Sequence, residues 1–268
     1  MDILTHALSG AVVSTGIASI SGFRPLQRVG LILTGTLGAV FPDIDTISLW
    51  SRFDSTFGRL FSLNHSGQAI YSAKFWYSHH AFFHSIAASI LFALLFMIVL
   101  YLISCIRTSS VQPFFGYFKK NIAFFSVFVL GYWMHFLGDF PTSGSAWGGI
   151  NLFYPVKNYV GGLGKIWWWN NYDIFLILLV ALFVNVVILI ISNWLKFRAV
   201  LFCNVVIAVA FITICIQVNS RKTDYAYTGH TSKYNYFEIQ SKKEQERILG
   251  TKLYDKMSKF DEWVKVNF

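Results

Sequence analysis

"YDIFLILLVALFVNVVILIISNWL", residues 172–195, holds one acid in its first turn and no other charge. At about 1.5 Å per residue its helix is long enough to cross the ~30 Å hydrocarbon core of a bilayer. Lipid offers no hydrogen-bond partner to a peptide group, so an apolar run of this length must be a helix. Three further runs, 82–104, 121–138 and 199–217, read the same way. Only 13% of the chain is charged, against about 25% in soluble domains. The reading is an all-α polytopic membrane protein: a bundle of four clear transmembrane helices, two short N-terminal apolar helices and a small C-terminal extramembrane tail.

The short helices fall in 3–20 and 29–42, rich in Gly, Ala, Ser and Thr. Small residues let helices approach closely, so both are expected to be half-buried or re-entrant against the longer ones. No basic stretch precedes the first apolar run, since Arg24 is the first basic residue. That is unlike a cleaved signal peptide. Cys105, Cys203 and Cys215 lie in or at the ends of apolar runs and read as small buried hydrophobes.

The division expected is a membrane-embedded part, 1–217, and a tail, 218–268. Within the tail, "DYAYTGHTSKYNYFEIQ" suggests a short hairpin, by its aromatic alternation around a turn-like TGHT. Leu249, Leu253, Met257, Phe260 and Val264 recur at helical spacing beyond it, which predicts an amphipathic helix on the membrane or capping the outer face.

Three short connectors carry only basic charge: Arg24 and Arg28, then Arg107, Lys119 and Lys120, then Lys196 and Arg198. Short loops rich in Lys and Arg stay cytoplasmic. The N-terminus, the 43–81 segment, the 139–172 loop and the tail then lie outside. All six acids before the tail, Asp2, Asp43, Asp45, Asp54, Asp139 and Asp173, share that outer side.

Four polar clusters interrupt the apolar surroundings at that depth: "MDILTH" with Asp2 and His6, "FPDIDT" with Asp43 and Asp45, "SHHAFFHS" with His79, His80 and His84, and "HFLGDFPTSG" with His135 and Asp139. Asp2 and His6, His80 and His84, and His135 and Asp139 are each spaced i,i+4, which on a helix places both side chains on one face. Imidazole and carboxylate are the ligands of zinc and similar divalent ions. His65 and His230 have no acidic neighbour at such spacing and stay outside the set. Ionisable groups at membrane depth are costly and point to function.

In their order, "MDILTH", "PDID", "HHAFFHS" and "HFLGDFPTSG" resemble the YdjM-like membrane-bound metal-dependent hydrolases. Those typically show D-x-x-T-H, P-D-x-D, H-R-x-x-T-H-S, and H-x-x-x-D with T-S-x-G. The resemblance covers residues 1 to about 155. It implies a metal-dependent hydrolase of the bacterial inner membrane with Asp2, His6, Asp43, Asp45, His79, His84, His135 and Asp139 as metal positions. His80 stands where that pattern has Arg, Phe83 where it has Thr, and the stretch from 46 to 78 is long. The family pattern selects His79 and the i,i+4 spacing selects His80. His80 is either a proton donor or a ligand in place of His79. A more distant similarity to zinc-dependent phospholipase C and single-strand nucleases implies phosphoester hydrolysis.

The resulting expectation is one to three divalent ions, Zn2+ before Mn2+ or Fe2+, with Asp45, His80 and Asp139 as the catalytic groups beside the ligands. The substrate would be a membrane lipid or lipid-linked ester met at the periplasmic side, with no nucleic acid as partner. Trp167, Trp168 and Trp169 fit an interfacial belt, and "GGLGK" at 161–165, lacking P-loop spacing, reads as a flexible loop. Two rival readings use the same residues. A metal-stapled structural or partner-binding protein would need a closed coordination shell, and a transporter would spread its ligands through the membrane depth.

Overall fold

A computed structural model describes residues 1–195 and 198–264. It is helical, without a β-strand among the described residues. The membrane part comprises α1 (Ile3–Ala18), α2 (Pro25–Val40), α4 (Ile86–Thr108), α6 (Ile122–Asp139), α7 (Tyr172–Leu195) and α8 (Ala199–Asn219). Two short helices, α3 (Gly67–Tyr71) and α5 (Phe114–Lys120), lie in connectors, and α9 (Tyr234–Leu249) and α10 (Thr251–Val264) form the tail. Four helices, α4, α6, α7 and α8, are long and apolar enough to cross a membrane.

Helix α1 is the inner member of the bundle, packed on α2, α6, α7 and α8. Its hydroxyls bond back to its own carbonyls: Ser14 Oγ to Gly10 at 2.7 Å, Thr15 Oγ1 to Val12 at 2.6 Å and Ser19 Oγ to Gly16 at 2.6 Å. A polar helix can therefore sit inside an apolar bundle without stranded donors. Asn185 Nδ2 of α7 donates to Thr15 Oγ1 at 2.7 Å and ties the middle of α7 to the last turn of α1.

The N-terminal pair is packed against the longer helices as expected, and α2 with the turn after it, bent by 49°, forms either a broken span or a re-entrant loop. α1 begins beside Asp139 at one end of α6 and finishes against Asn204 at the start of α8. α2 runs back beside it. Gly10, Gly35 and Gly131, one from each of α1, α2 and α6, meet at a single crossing: a Cβ on Gly10 or Gly131 would overlap the Gly35 carbonyl oxygen. The backbones touch because none of the three has a side chain.

α4 starts at Ile86, four residues later than the apolar run suggests. Residues 82–84 form a 3₁₀ turn, and Ser85 Oγ then caps the helix by accepting from Ala88 N at 3.1 Å. The basic connectors gather at one end of the bundle, Arg24 before α2, Arg107 in the last turn of α4 and Arg198 before α8. Lys196 lies outside the described residues. Cys203 is buried, but Cys215 is exposed on α8, so the expectation of buried cysteines holds only in part.

The tail departs from its expected hairpin. Its aromatic alternation pairs with another loop instead: Tyr225 N donates to Gly164 O at 2.8 Å, Ser145 N to Tyr227 O at 3.1 Å, and Gly229 N to Ser145 O at 2.7 Å. The stretch after it, from Tyr234, is helical because its charged run suits α9 better than a strand. Helix α10 buries Met257 against Tyr172 and Phe175 and so caps the acid-bearing end of the bundle. The glycine-rich 161–165 stretch is pinned rather than loose. Gly164 N donates to Thr142 O at 2.9 Å, and at φ 62° a Cβ there would strike Ala226.

Arg221 fixes the tail to α7 through two bonds of 2.8 and 2.9 Å to the Asp173 carboxylate, which Gln245 Nε2 also reaches at 3.0 Å. The pair is buried at both ends. Removing one partner leaves the other charge uncompensated, at a cost of about 3–5 kcal/mol. Arg221→Ala is therefore expected to release α9 and α10. Limited proteolysis should cut the variant after residue 219 under conditions that leave the parent protein intact.

Candidate metal centre

Each polar cluster is delivered by a different local device. Asp2 caps α1, its Oδ1 accepting from Thr5 N at 2.8 Å, and His6 follows one turn in, fully buried. Pro42 ends the α2 ladder, since proline has no N–H to give. The chain bends by 49° into the 3₁₀ turn Pro42–Leu49, which carries Asp43 and Asp45. His79 and His80 stand in turns ahead of α4, and His84 closes the 3₁₀ turn Phe82–His84. His135 and Asp139 share one face of the last turns of α6, with 3.1 Å between His135 Nε2 and Asp139 Oδ2.

The four segments converge. His84 Nε2 lies 3.2 Å from His135 Nε2. Asp43 Oδ1 is 3.7 Å from the first and 3.5 Å from the second. Asp139 Oδ2 is 3.7 Å from His84 Nε2. His6 stacks on His135, ring centroids 3.8 Å apart, and its Nε2 is 3.1 Å from Asp139 Oδ1. The Met1 amino group sits 2.7 Å from that same oxygen. His79, His80 and His84 form a second group of imidazoles with ligand atoms within 4.8 Å of one another.

A divalent ion fits these residues on two counts. Zinc binds N and O ligands at about 2.0–2.2 Å, which in a tetrahedron separates neighbouring ligand atoms by roughly 3.3–3.6 Å. The separations of His84 and His135 from each other and from Asp43 and Asp139 run from 3.1 to 3.7 Å. Second, in three of the histidines the ring nitrogen turned away from the centre is tied, which fixes the tautomer. His135 Nδ1 donates to Ala39 O at 2.7 Å and His80 Nδ1 to Gly149 O at 3.0 Å. His79 Nδ1 donates to Asp45 Oδ1 at 2.7 Å. Each then presents a lone pair at Nε2, as a ligating histidine must. His80 Nε2 is buried without a hydrogen-bond partner.

Several expectations change. Asp2 is in none of the groups of three that can hold an ion; one of its oxygens takes the α1 cap, and the other is buried without a partner at the edge of the cavity over the centre. The i,i+4 argument for His80 and His84 fails, because no helix spans them. His80 instead takes a left-handed backbone, φ 62°, which turns its ring toward Asp139, 4.0 Å away. His79 and His80 both reach the cluster, so neither displaces the other. Burial, and then the neighbouring His79 and His84, hold the His80 pKa well below its ordinary 6.5. Its ring is neutral, which suits a base or a ligand and not a proton donor. Asp45 faces two rings, its Oδ2 3.4 Å from His84 Nδ1, and acts as the group that orients both.

Burial opposes charge on His84, but the carboxylates of Asp45, Asp43 and Asp139 outweigh it and push its pKa up to about 10. At pH 7 a proton therefore holds the place a cation would take. Ion binding is expected to release that proton, and affinity to rise about tenfold per pH unit up to pH 10. Calorimetry of zinc titration in buffers of different ionisation enthalpy reads the proton count directly.

A cavity of about 390 Å³ opens over the centre, walled by Tyr71, Trp147, Trp168, Trp169, Tyr227 and Tyr234. Tyr71 stacks on His79 at 4.7 Å, and Trp147 Nε1 donates to Tyr71 O at 2.8 Å. Their spacing in the sequence gives no sign of this role. The tryptophans do not form a lipid belt: Trp167 is fully buried, donating to Glu238 Oε2 at 2.8 Å, while Trp168 and Trp169 face the cavity. His65 and His230 are exposed, Asp54 accepts from Gly67 N, and Asp173 pairs with Arg221, so none of these joins the centre.

The model of the YdjM inner membrane protein family matches residues 1–221. The chain belongs to the YdjM inner membrane protein family. It is a multi-pass inner membrane protein whose His and Asp residues form groups able to hold a metal ion. The match takes in every residue of the centre and extends past residue 155 to the end of α8, leaving α9 and α10 outside it. Neither a curated protein nor a solved structure matches the chain.

Proposed function

We propose that the protein is a membrane-bound metal-dependent hydrolase that cleaves a phosphoester or related ester of a lipid or lipid-linked substrate at the outer face of the inner membrane. The observation that carries this reading is a ligand-sized cluster lying open to a cavity. A purely structural zinc site is closed on all sides. The cavity reaches Asp43, Asp139, His79 and His80. A transporter is less well supported, since the ligands sit at one end of the bundle and the spans carry no charge at their midpoints.

His84, His135, Asp43 and Asp139 would hold the ion, most readily Zn2+, with His6 and His79 flanking. A divalent ion held there supplies Lewis acidity and lowers the pKa of water from 15.7 to about 7. His80, neutral and lining the cavity with an unpartnered Nε2, is placed to accept a hydrogen bond from the attacking water and orient it. Asp45 orients His79 and His84, and Asp139 steadies His6 and His135. The outer face is supported by the basic connectors, which lie at the opposite end from the centre.

The test is metal analysis of the purified full chain, followed by hydrolysis of ethyl p-nitrophenyl phosphate. The expected result is stoichiometric divalent metal and p-nitrophenol release that stops with 1,10-phenanthroline and returns with zinc. Protein without metal, or hydrolysis indifferent to the chelator, overturns the reading.

A further inference from the structure

The turn Pro42–Leu49 has a second face, turned away from the ion ligands. On that side lies a groove of about 590 Å³ lined by Phe41, Ile47, Phe53, Phe57, Leu63 and Phe92. The polar residues in its wall are few, and two of them, Asp45 and Ser48, come from the turn that also supplies the centre. We propose that this groove receives an alkyl chain of the lipid whose head group meets the metal centre, so that the chain selects the substrate. This rests on the hydrolase reading given above and adds a specificity site to it.

Three observations lead there. First, the groove borders the centre across a single side chain, since Asp45 stands in its wall and also accepts from His79 Nδ1. Second, it joins the bilayer. Phe92 lies six residues into α4, about 9 Å below its first turn. Beside it Leu91, Leu94 and Leu95 are exposed on the lipid-facing side of a membrane span. The groove thus meets a membrane span at its apolar end.

Third, the groove is roofed by the stretch 46–78. That roof is built and not merely draped. Asp54 Oδ1 accepts from Gly67 N at 2.7 Å, and Gly67 packs so closely on the Ser48 carbonyl that a Cβ would overlap it. A roof held over an apolar hollow beside a polar centre matches a molecule with a polar head and an apolar chain.

The experiment uses the full chain in phosphatidylcholine nanodiscs with ethyl and octyl p-nitrophenyl phosphate. In both, water adds to phosphorus, the P–O(aryl) bond breaks, p-nitrophenol leaves and the alkyl phosphate remains. The readout is the octyl-to-ethyl ratio of kcat/KM, which cancels any loss common to both esters. Ile47→Trp, and independently Leu63→Trp from the opposite wall, fill the groove and are expected to lower that ratio at least tenfold. A second arm uses hexadecyl phosphate with a diazirine at its chain end, and crosslinks are expected within 53–63 and 83–92. An unchanged ratio in variants that keep their metal, with crosslinks confined to α7 and α8, overturns the proposal. If neither ester is hydrolysed, the hydrolase reading fails, and the crosslink positions alone decide the groove.

Discussion

His84→Ala is expected to empty the metal centre. His84 Nε2 contacts three other candidate ligand atoms, on His135, Asp43 and Asp139, within 3.2 to 3.7 Å. Removing a group that only orients a ligand costs about 10–100-fold in metal affinity, and removing a ligand costs more, of order a thousandfold. Metal content after dialysis should fall from stoichiometric to background. Because His84 is fully buried next to three carboxylates, the variant also loses the cation that offsets them. Asp139→Ala provides the comparison: it removes the carboxylate that His6 and His135 share. If both variants keep full metal content, the centre is elsewhere.

Gly131→Val is expected to prevent assembly of the bundle. Even a single Cβ at Gly131 would overlap the Gly35 carbonyl oxygen and crowd the Ala39 backbone of α2. That neighbour is helical backbone, which cannot swing aside as a side chain can. Overpacking costs about 1–3 kcal/mol where side chains adjust, and more where backbones must separate. Here the separation would move α6 from α2, and with it His135 from its anchor, the Ala39 carbonyl. The result should be loss of folded protein in detergent, read by size-exclusion profile and thermal melt. Gly116→Val, at a glycine with open space around it, should leave both unchanged.

Much of the architecture is legible in the sequence because it depends on local composition. The 172–195 run, the basic connectors and the four polar clusters each carry their meaning within a few residues. Helical spacing also carries the His135–Asp139 pair, since α6 continues through both. It fails for His80 and His84, where the chain turns twice before α4 begins. There the backbone conformation of one residue, His80, sets the direction of its ring, and no periodicity encodes that. Asp2 illustrates another limit: an acid before an apolar run can cap the helix or bind an ion, and spacing does not separate the two. The cavity wall is the least legible part. Tyr71, Trp147 and Trp168 meet only through tertiary packing, and a run of three tryptophans suggests lipid before it suggests a cavity.

The tail contributes Tyr227 and Tyr234 to the cavity rim. These lie beyond residue 221, where the family match stops. The protein therefore divides its labour along the chain. The shared portion fixes where an ion can sit, and an appended portion shapes the doorway above it. Exchanging the last forty-odd residues would refit the doorway while leaving the residues of the ion's seat in place.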